Sequence, residues 1–364
     1  MPTTTTTAAV LRDPEAPFSV EEVTLAELGP TDVLVRLAGV GFCHTDAVAR
    51  GMASYVLPAI LGHEGAGTVE AIGAEVDRVQ VGDPVVLSFA SCGACAQCLA
   101  GTPSYCVLFT ALNMSARNMD GTTSATDADG AEVANRWFGQ SSFAAHSIVD
   151  QRNVVVVDAD VDLAAAAPLG CGIQTGAGTV LRAMGVQPGQ SIVVFGAGAV
   201  GLAAVLAAKL AGAGDIVAVD LHESRLDLAL ELGATRVVRG DDRRLVDKIV
   251  GDGTGLDFAL DTTGVGAVME AAIESVGPGG QVVLVAASEA GLAVHPTQLT
   301  GKTISYVLEG AADPQEFIPY LIGQWRAGDF PFDRLITTYP FAEIDRAEQD
   351  AHAGTAIKPV LVLP

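Results

Sequence analysis

The chain has 364 residues, 49% of them hydrophobic, with 41 glycines and a formal charge of −23. That length exceeds one ordinary core and predicts two domains. The acidic excess argues against nucleic acid and anionic membranes as partners, since both require clustered Lys and Arg.

No apolar run reaches the roughly 18 residues of a membrane span. Met1-Pro2 and the threonines after it have neither the basic nor the apolar segment of a secretory signal. The chain therefore reads as soluble and cytoplasmic. Its first residues read as a frayed tail before a strand, its acidic surface as a solubilising coat, and its six cysteines as reduced.

Short β-branched runs broken by Gly, Pro and Asp come first: Asp32 to Leu37, Gly67 to Ile72 and Pro84 to Leu87. They predict an irregular, mainly-β region. Residues 107–142 are polar and turn-rich, and Asp127-Ala128-Asp129-Gly130 lacks the rest of a calcium loop, so it reads as a solvated turn. From Ser191 the pattern changes. Apolar runs at Ile192 to Phe195, Ile216 to Val219, Arg236 to Arg239, Asp257 to Leu260, Val282 to Val285 and Thr303 to Leu308 alternate with helical stretches. Such alternation predicts an α/β fold with a doubly wound parallel sheet. A helix over Pro314 to Ala327 and a strand over Pro359 to Leu363 follow. The expected division is a mainly-β domain from residues 1–172 and 312–364, and a dinucleotide-binding domain from residues 173–311.

Gly196-Ala-Gly198-Ala-Val200-Gly201 follows the apolar run at Ser191 to Phe195 and opens an alanine-rich helix. In that place Gly196 permits the tight turn, Gly198 lets a pyrophosphate approach the backbone, and Gly201 allows close helix–strand packing. Free N–H groups at the helix start, around Val200, would face the phosphates. Asp220 ends the next strand, where a carboxylate accepts from the adenosine ribose and repels a 2′-phosphate, which favours NAD. Arg225 nearby suits either a ribose hydroxyl or a phosphate.

Cys92-x2-Cys95-x2-Cys98-x7-Cys106 has the spacing of a closed, all-cysteine structural zinc site. An iron–sulfur cluster is the competitor, but the proline that follows the last cysteine in bacterial ferredoxins is Val107 here. Disulfides are disfavoured by compartment. Cys43, His63 and Cys171 are dispersed, and a lone buried cysteine is usually packing. Their grouping comes from a resemblance.

Gly62-His63-Glu64-x2-Gly67-x5-Gly73-x2-Val76, the four-cysteine lobe and the dinucleotide turn together resemble the zinc-containing medium-chain alcohol dehydrogenases, almost from end to end. Phe138-Gly-Gln-Ser-Ser-Phe-Ala-Ala-His146 and Leu169-Gly-Cys-Gly-Ile-Gln-Thr-Gly-Ala-Gly178 are similar to the aryl-alcohol (benzyl alcohol) dehydrogenases within that family. The resemblance implies a GroES-like catalytic domain and two zinc ions per chain. The catalytic zinc would be held by Cys43, His63 and Cys171, with Glu64 behind it as an occasional ligand. Asp46 would brace His63 and Thr45 would begin proton removal. His44 and Lys358 would contact the cofactor pyrophosphate, and Thr175 would pack on the nicotinamide. Zinc would lower the alcohol's pKa while hydride passes to NAD.

Two departures stand out. Where many relatives end the proton relay in a histidine, this chain has Val48, and a common arginine is replaced by His44, a titratable phosphate partner. The substrate expected is a primary aryl or allylic alcohol, with Phe89, Phe109, Leu112, Phe143 and Ile173 as candidate pocket walls. A homodimer or homotetramer is expected. Rival readings are a thiol-adduct formaldehyde dehydrogenase with the same ligands, a zinc-free quinone reductase, and a non-enzymatic zinc-stabilised redox sensor. The full ligand set opposes the second, and the dinucleotide turn opposes the third.

Overall fold

A computed structural model describes residues 3–51, 57–288 and 291–364. They form two compact units, one of residues 1–171, 313–319 and 333–364, the other of 172–312 and 320–332. The first unit is mainly β. One of its sheets has the strand order Ala59–Ile60, Thr4–Leu11, Ser19–Leu25, Ala125–Thr126, Glu132–Val133. The threonine run expected as a tail is therefore part of a strand from Thr4 onward, paired antiparallel with Ser19–Leu25. β-branched threonines suit a pleated, half-buried surface once a partner strand is present. Met1 and Pro2 lie outside the described residues.

The other sheet runs Val154–Val156, Pro84–Leu87, Gly65–Ile72, Asp32–Gly41, Lys358–Val362, Ile336–Pro340, with His146–Asp150 also paired to Asp32–Gly41. Its centre is Asp32–Gly41, with Val33, Val35, Leu37 and Val40 all essentially inaccessible. Gly67 of the Gly62–Val76 motif is needed by this sheet. A Cβ there would sit 2.1 Å from the Arg36 carbonyl oxygen, so only glycine lets the two strands meet. The 107–142 stretch holds one feature hidden by its polarity, a short helix Phe109–Met114. Asp127 and Gly130 do form a turn, closed by Asp127 Oδ1 accepting from the Asp129 and Ala131 N–H groups.

In the second unit six parallel strands take the order Arg236–Arg239, Asp215–Asp220, Ser191–Phe195, Leu256–Asp261, Val276–Leu284, Thr303–Tyr306. In chain order within the unit this is 3-2-1-4-5-6, the doubly wound arrangement whose strand order reverses beside the first strand. Helix Ala199–Leu210 follows that strand, and its residues Gly201 to Ala208 are all buried. Helix Gly172–Gly178 lies tight against it, since a Cβ on Gly176 would come within 2.0 Å of the Val200 carbonyl.

Helix Pro314–Ala327 spans the predicted residues. The unit of 172–312 nevertheless takes Tyr320–Phe332, which the strand pattern assigned to the other domain. A lone helix after the last strand carries no sign of which core its apolar residues cover. No helix among the described residues is long and apolar enough to cross a membrane.

Candidate functional site

Cys43 stands just beyond strand Asp32–Gly41, and His63 and Glu64 stand just before strand Gly65–Ile72. The antiparallel pairing of these strands, Val40 opposite Gly65, brings the three residues together. Cys171 is delivered by the short helical segment Ala167–Gly170, seated where a Cβ on Gly170 would lie 2.0 Å from the Leu87 carbonyl. The ligand atoms of Cys43, His63, Glu64 and Cys171 all lie within 4.8 Å of one another.

His63 is buried and its Nδ1 lies 2.8 Å from Asp46 Oδ1, while its Nε2 is buried with no hydrogen-bond partner. An unsatisfied buried ring nitrogen facing two thiols is what a metal ligand looks like when its other nitrogen is fixed by a carboxylate. Electrostatics agree. A hydrogen bond from Cys171, with help from Lys358 and His63, holds the Cys43 thiol well below its ordinary range despite burial. Burial pulls His63 down, yet Asp46 and Cys43 together raise it well above its usual value. Negative charge gathered around a buried imidazole is the setting in which a divalent cation displaces the proton. Cys43, His63 and Cys171 could hold a zinc with a fourth position for a substrate oxygen, and Glu64 stands close enough to be a fourth donor itself.

Asp46 is fully enclosed and accepts from four groups. Oδ2 takes the Cys43 N–H at 3.2 Å, and Oδ1 takes Gly62 N–H at 3.1 Å, His63 Nδ1 and the Trp137 indole at 3.0 Å. Trp137 was not singled out from sequence, although a buried indole N–H always needs an acceptor. Gln140 was missed as well. Its Nε2 donates to the His63 carbonyl at 2.9 Å and its Oε1 accepts from Gly65 N–H and Ser142 Oγ. Helix His44–Gly51 carries His44 exposed, Thr45 half-buried and Val48 exposed. The His44 ring lies 6.1 Å from that of His352.

Lys358, expected to contact a pyrophosphate, is turned toward Glu64. It is buried, and its Nζ donates to both Glu64 oxygens at 2.9 Å and to the Phe42 carbonyl at 3.2 Å. All three of its protons have acceptors within the protein. Burial raises Glu64 and Lys358 opposes that rise. Glu64 in turn crosses the place a side chain on position 41 would occupy, 2.0 Å from a Cβ, which is why glycine stands there.

The lobe is built locally. Cys92, Cys95, Cys98 and Cys106 also bring their sulfurs within 4.8 Å of one another, as free thiols. Backbone N–H groups of Cys95 and Cys92 point at the Cys92 and Cys106 sulfurs, each at 3.3 Å. The Cys98 and Val107 N–H groups bring the Cys95 thiol down to about 6, while burial and neighbouring thiols push Cys98 up to about 11. Arg152 ties the lobe to the body through the Cys92 carbonyl at 2.6 Å.

Of the expected pocket walls, Phe143 is core. It is inaccessible, stacked on Phe42 at 5.7 Å and edge-on to Phe18 at 5.8 Å. Its ring also fills the space beside Gly62, where a Cβ would clash at 2.5 Å. Ile173 is wholly buried in the second unit, and Leu112 is half-buried. Phe89 and Phe109 belong to an aromatic chain that the sequence did not reveal. Phe89 meets Phe109 at 5.7 Å, Phe109 meets Phe138 at 6.4 Å, and Phe138 stacks on the His63 ring at 4.3 Å.

In the second unit Gly196 takes φ +91° at the end of Ser191–Phe195, and a Cβ on Gly201 would fall 1.8 Å from the Gly196 carbonyl. At Gly198 a Cβ would meet nothing within 4 Å. The first and third glycines are thus explained by the chain's own packing, while the middle one, at the N-cap of helix Ala199–Leu210, leaves open space of the kind a pyrophosphate could enter. Val200 lies in the first turn of helix Ala199–Leu210. Asp220 accepts from the Ala197 N–H at 2.7 Å and the His222 N–H at 2.9 Å, with Arg225 Nη1 3.9 Å away. Thr175, on helix Gly172–Gly178, has its Oγ1 3.5 Å from Glu309.

Residues 29–159 match the alcohol dehydrogenase GroES-like domain family, and residues 199–321 match the zinc-binding dehydrogenase family. The chain is 45% identical to a geraniol dehydrogenase of Castellaniella defragrans, over 98% of this chain and 97% of that one. Its fold is similar to the crystal structure of an alcohol dehydrogenase zinc-binding domain protein from Burkholderia ambifaria, with a TM-score of 0.97, 43% identity and full coverage of both chains. It is similar also to benzyl alcohol dehydrogenase from Acinetobacter calcoaceticus, with a TM-score of 0.95 and 40% identity over 99% of this chain and 100% of that one.

Proposed function

Because the chain belongs to the zinc-dependent alcohol dehydrogenase family, we propose that it interconverts a primary aryl or allylic alcohol and its aldehyde, with NAD as the hydride partner. The observation that carries this reading is the aromatic chain Phe89–Phe109–Phe138 ending face to face with the His63 ring. Relatives named for geraniol and benzyl alcohol support the same class.

Zinc held by Cys43, His63 and Cys171 would supply Lewis acidity toward the alcohol oxygen, and a second zinc in the Cys92–Cys106 lobe would hold that loop. The rest falls to the chain's own residues. Asp46 fixes the tautomer and direction of His63. Lys358 holds Glu64 behind the two cysteines. Thr45, two residues past Cys43 on the first turn of its helix, would accept the alcohol proton at Oγ1 and pass its own onward. Phe138, Phe109 and Phe89 would exclude water and seat the apolar body of the substrate. Asp220 would take the adenosine ribose and Gly198 the pyrophosphate. Six free thiols suit a reducing compartment such as the cytoplasm.

Initial rates over benzyl alcohol, geraniol, ethanol, a secondary alcohol and formaldehyde with thiol test the assignment. A ring that buries about 100 Å² more than ethanol gains roughly 2.5 kcal/mol at ~25 cal/mol per Å². That corresponds to a kcat/KM ratio on the order of 50 in favour of benzyl alcohol or geraniol. Equal or better specificity for ethanol, or a requirement for the thiol, would refute it.

A further inference from the structure

We propose that Trp137 is a positioning residue for the metal-site histidine: its indole N–H fixes the carboxylate of Asp46, which in turn orients His63. The inference rests on the reading that Cys43, His63 and Cys171 hold zinc.

Oδ1 of Asp46 carries three donors, and two of them, Gly62 N–H and His63 Nδ1, come from consecutive residues of one loop. Carboxylate and loop could shift together. The indole N–H reaches the same oxygen from a different segment at 3.0 Å and ties the pair to the body of the unit.

The turn that presents it is conformationally costly. Phe138 and Ser141 hold φ of 51° and 50°, a region L-residues rarely enter, beside Gly139 at 68°. Such a turn persists only where its surroundings over-determine it. Here Trp137 N–H donates to Ser141 Oγ at 2.8 Å, Ser141 N–H returns to the Trp137 carbonyl at 2.9 Å, and Ser141 Oγ donates to the Ile60 carbonyl at 2.6 Å. The outcome is a clamp from two directions. Position 137 reaches His63 through Asp46, and position 138 lays a phenyl ring on the imidazole face, 23° from parallel. Filling space needs no indole N–H, and a phenylalanine would serve that purpose alone.

The test uses the metal-loaded protein and reads metal release to a chromophoric chelator, with cobalt-thiolate absorption of the substituted protein as a second readout. Trp137→Phe should release the metal held by Cys43, His63 and Cys171 about tenfold faster, the low end of what partners outside the ligand shell contribute. It should leave release from the four-cysteine lobe unchanged. In an Asp46→Ala background, where no side-chain oxygen is left to accept from the indole, the same substitution should have no further effect, because the two act in series. Unchanged release from folded Trp137→Phe protein, or effects of the two substitutions that add, would overturn the inference. Should Trp137→Phe fail to fold, a benzothienylalanine at this position, with sulfur in place of N–H and the same outline, gives the same reading. A wild-type protein without a metal that Cys171→Ser removes would instead defeat the zinc assignment itself, before the indole is at issue.

Discussion

Between positions 92 and 106 four half-exposed or buried cysteines close around one point. The other cluster draws on positions 43, 63 and 171, lies deep in the same unit, and is surrounded by a second layer made of Asp46, Trp137, Gln140 and Lys358. One region offers four sulfurs. The other offers two sulfurs, an imidazole and a carboxylate paired with a lysine, beside a wall of aromatic rings. A cluster that is local and saturated can only hold a loop. One that is dispersed, unsaturated and braced can present an open coordination position to a substrate, and it must be buried so that its charges are felt.

The sharpest way to break this comparison is to remove one sulfur from each cluster. Cys171→Ser should lower kcat/KM by on the order of 10³ or more, since several kcal/mol of charge stabilisation depart with the ion. Its Tm should move little. Cys106→Ser should instead lower Tm and expose residues 92–108 to protease, with much of the turnover left at low temperature. Steady-state rates and thermal melts on the two proteins decide. A reversed pattern would exchange the roles of the clusters.

Lys358 tests whether the second layer belongs to the dispersed site or to the cofactor. Lys358→Met would leave Glu64 buried without its ion pair, a loss of about 3–5 kcal/mol by denaturant titration. Adding Glu64→Gln should restore a good part of it. If Lys358→Met weakened NAD binding and left stability untouched, the pyrophosphate role expected from sequence would return.

The same contrast between closed and open positions appears in the glycine turn. Gly201→Ala should destabilise the fold, because its Cβ has no room beside the Gly196 carbonyl. Gly198→Val should fold normally, as nothing lies within 4 Å of its Cβ and φ is −80°. It should nonetheless weaken NAD by about tenfold or more through steric exclusion of the phosphates. A Gly198→Val protein with unchanged NAD affinity would mean that the dinucleotide lies elsewhere.

What is legible in the sequence follows the same division. Spacing alone exposed the lobe and the glycine turn, and apolar runs exposed all six parallel strands, because each is a short-range pattern. Cys43, His63 and Cys171 could be grouped only through resemblance, since their meeting depends on strand pairing across the sheet. The pairing of Lys358 with Glu64 is not legible either, because nothing in its neighbours tells a buried ammonium from an exposed one. Phe143 and Phe138 are the same residue type five positions apart. One faces the core and the other the His63 ring, and the positive φ at Phe138 that sets this is invisible in the letters.

The smallest expected effect concerns the proton. Thr45 and Val48 are three residues apart on helix His44–Gly51, so they are neighbours on one face, and Val48 is exposed. A base at 48 would stand between Thr45 and water, whereas valine can accept nothing. Val48→His should therefore add a group that titrates near 6.5 and raise kcat by about threefold between about pH 6 and 7, where solvent hydroxide is scarce. The sign follows from the titration. Above about pH 7.5 the added imidazole is neutral but hydroxide already takes the proton, so the gain should fade, and below about pH 5.5 the ring is protonated and cannot accept. The gain should therefore peak in that window and not rise steadily toward acid. Measuring kcat against pH with protiated and deuterated alcohol separates the outcomes. A full isotope effect at pH 6.5, unmoved in rate by Val48→His, would mean that Thr45 reaches solvent without any side chain at position 48.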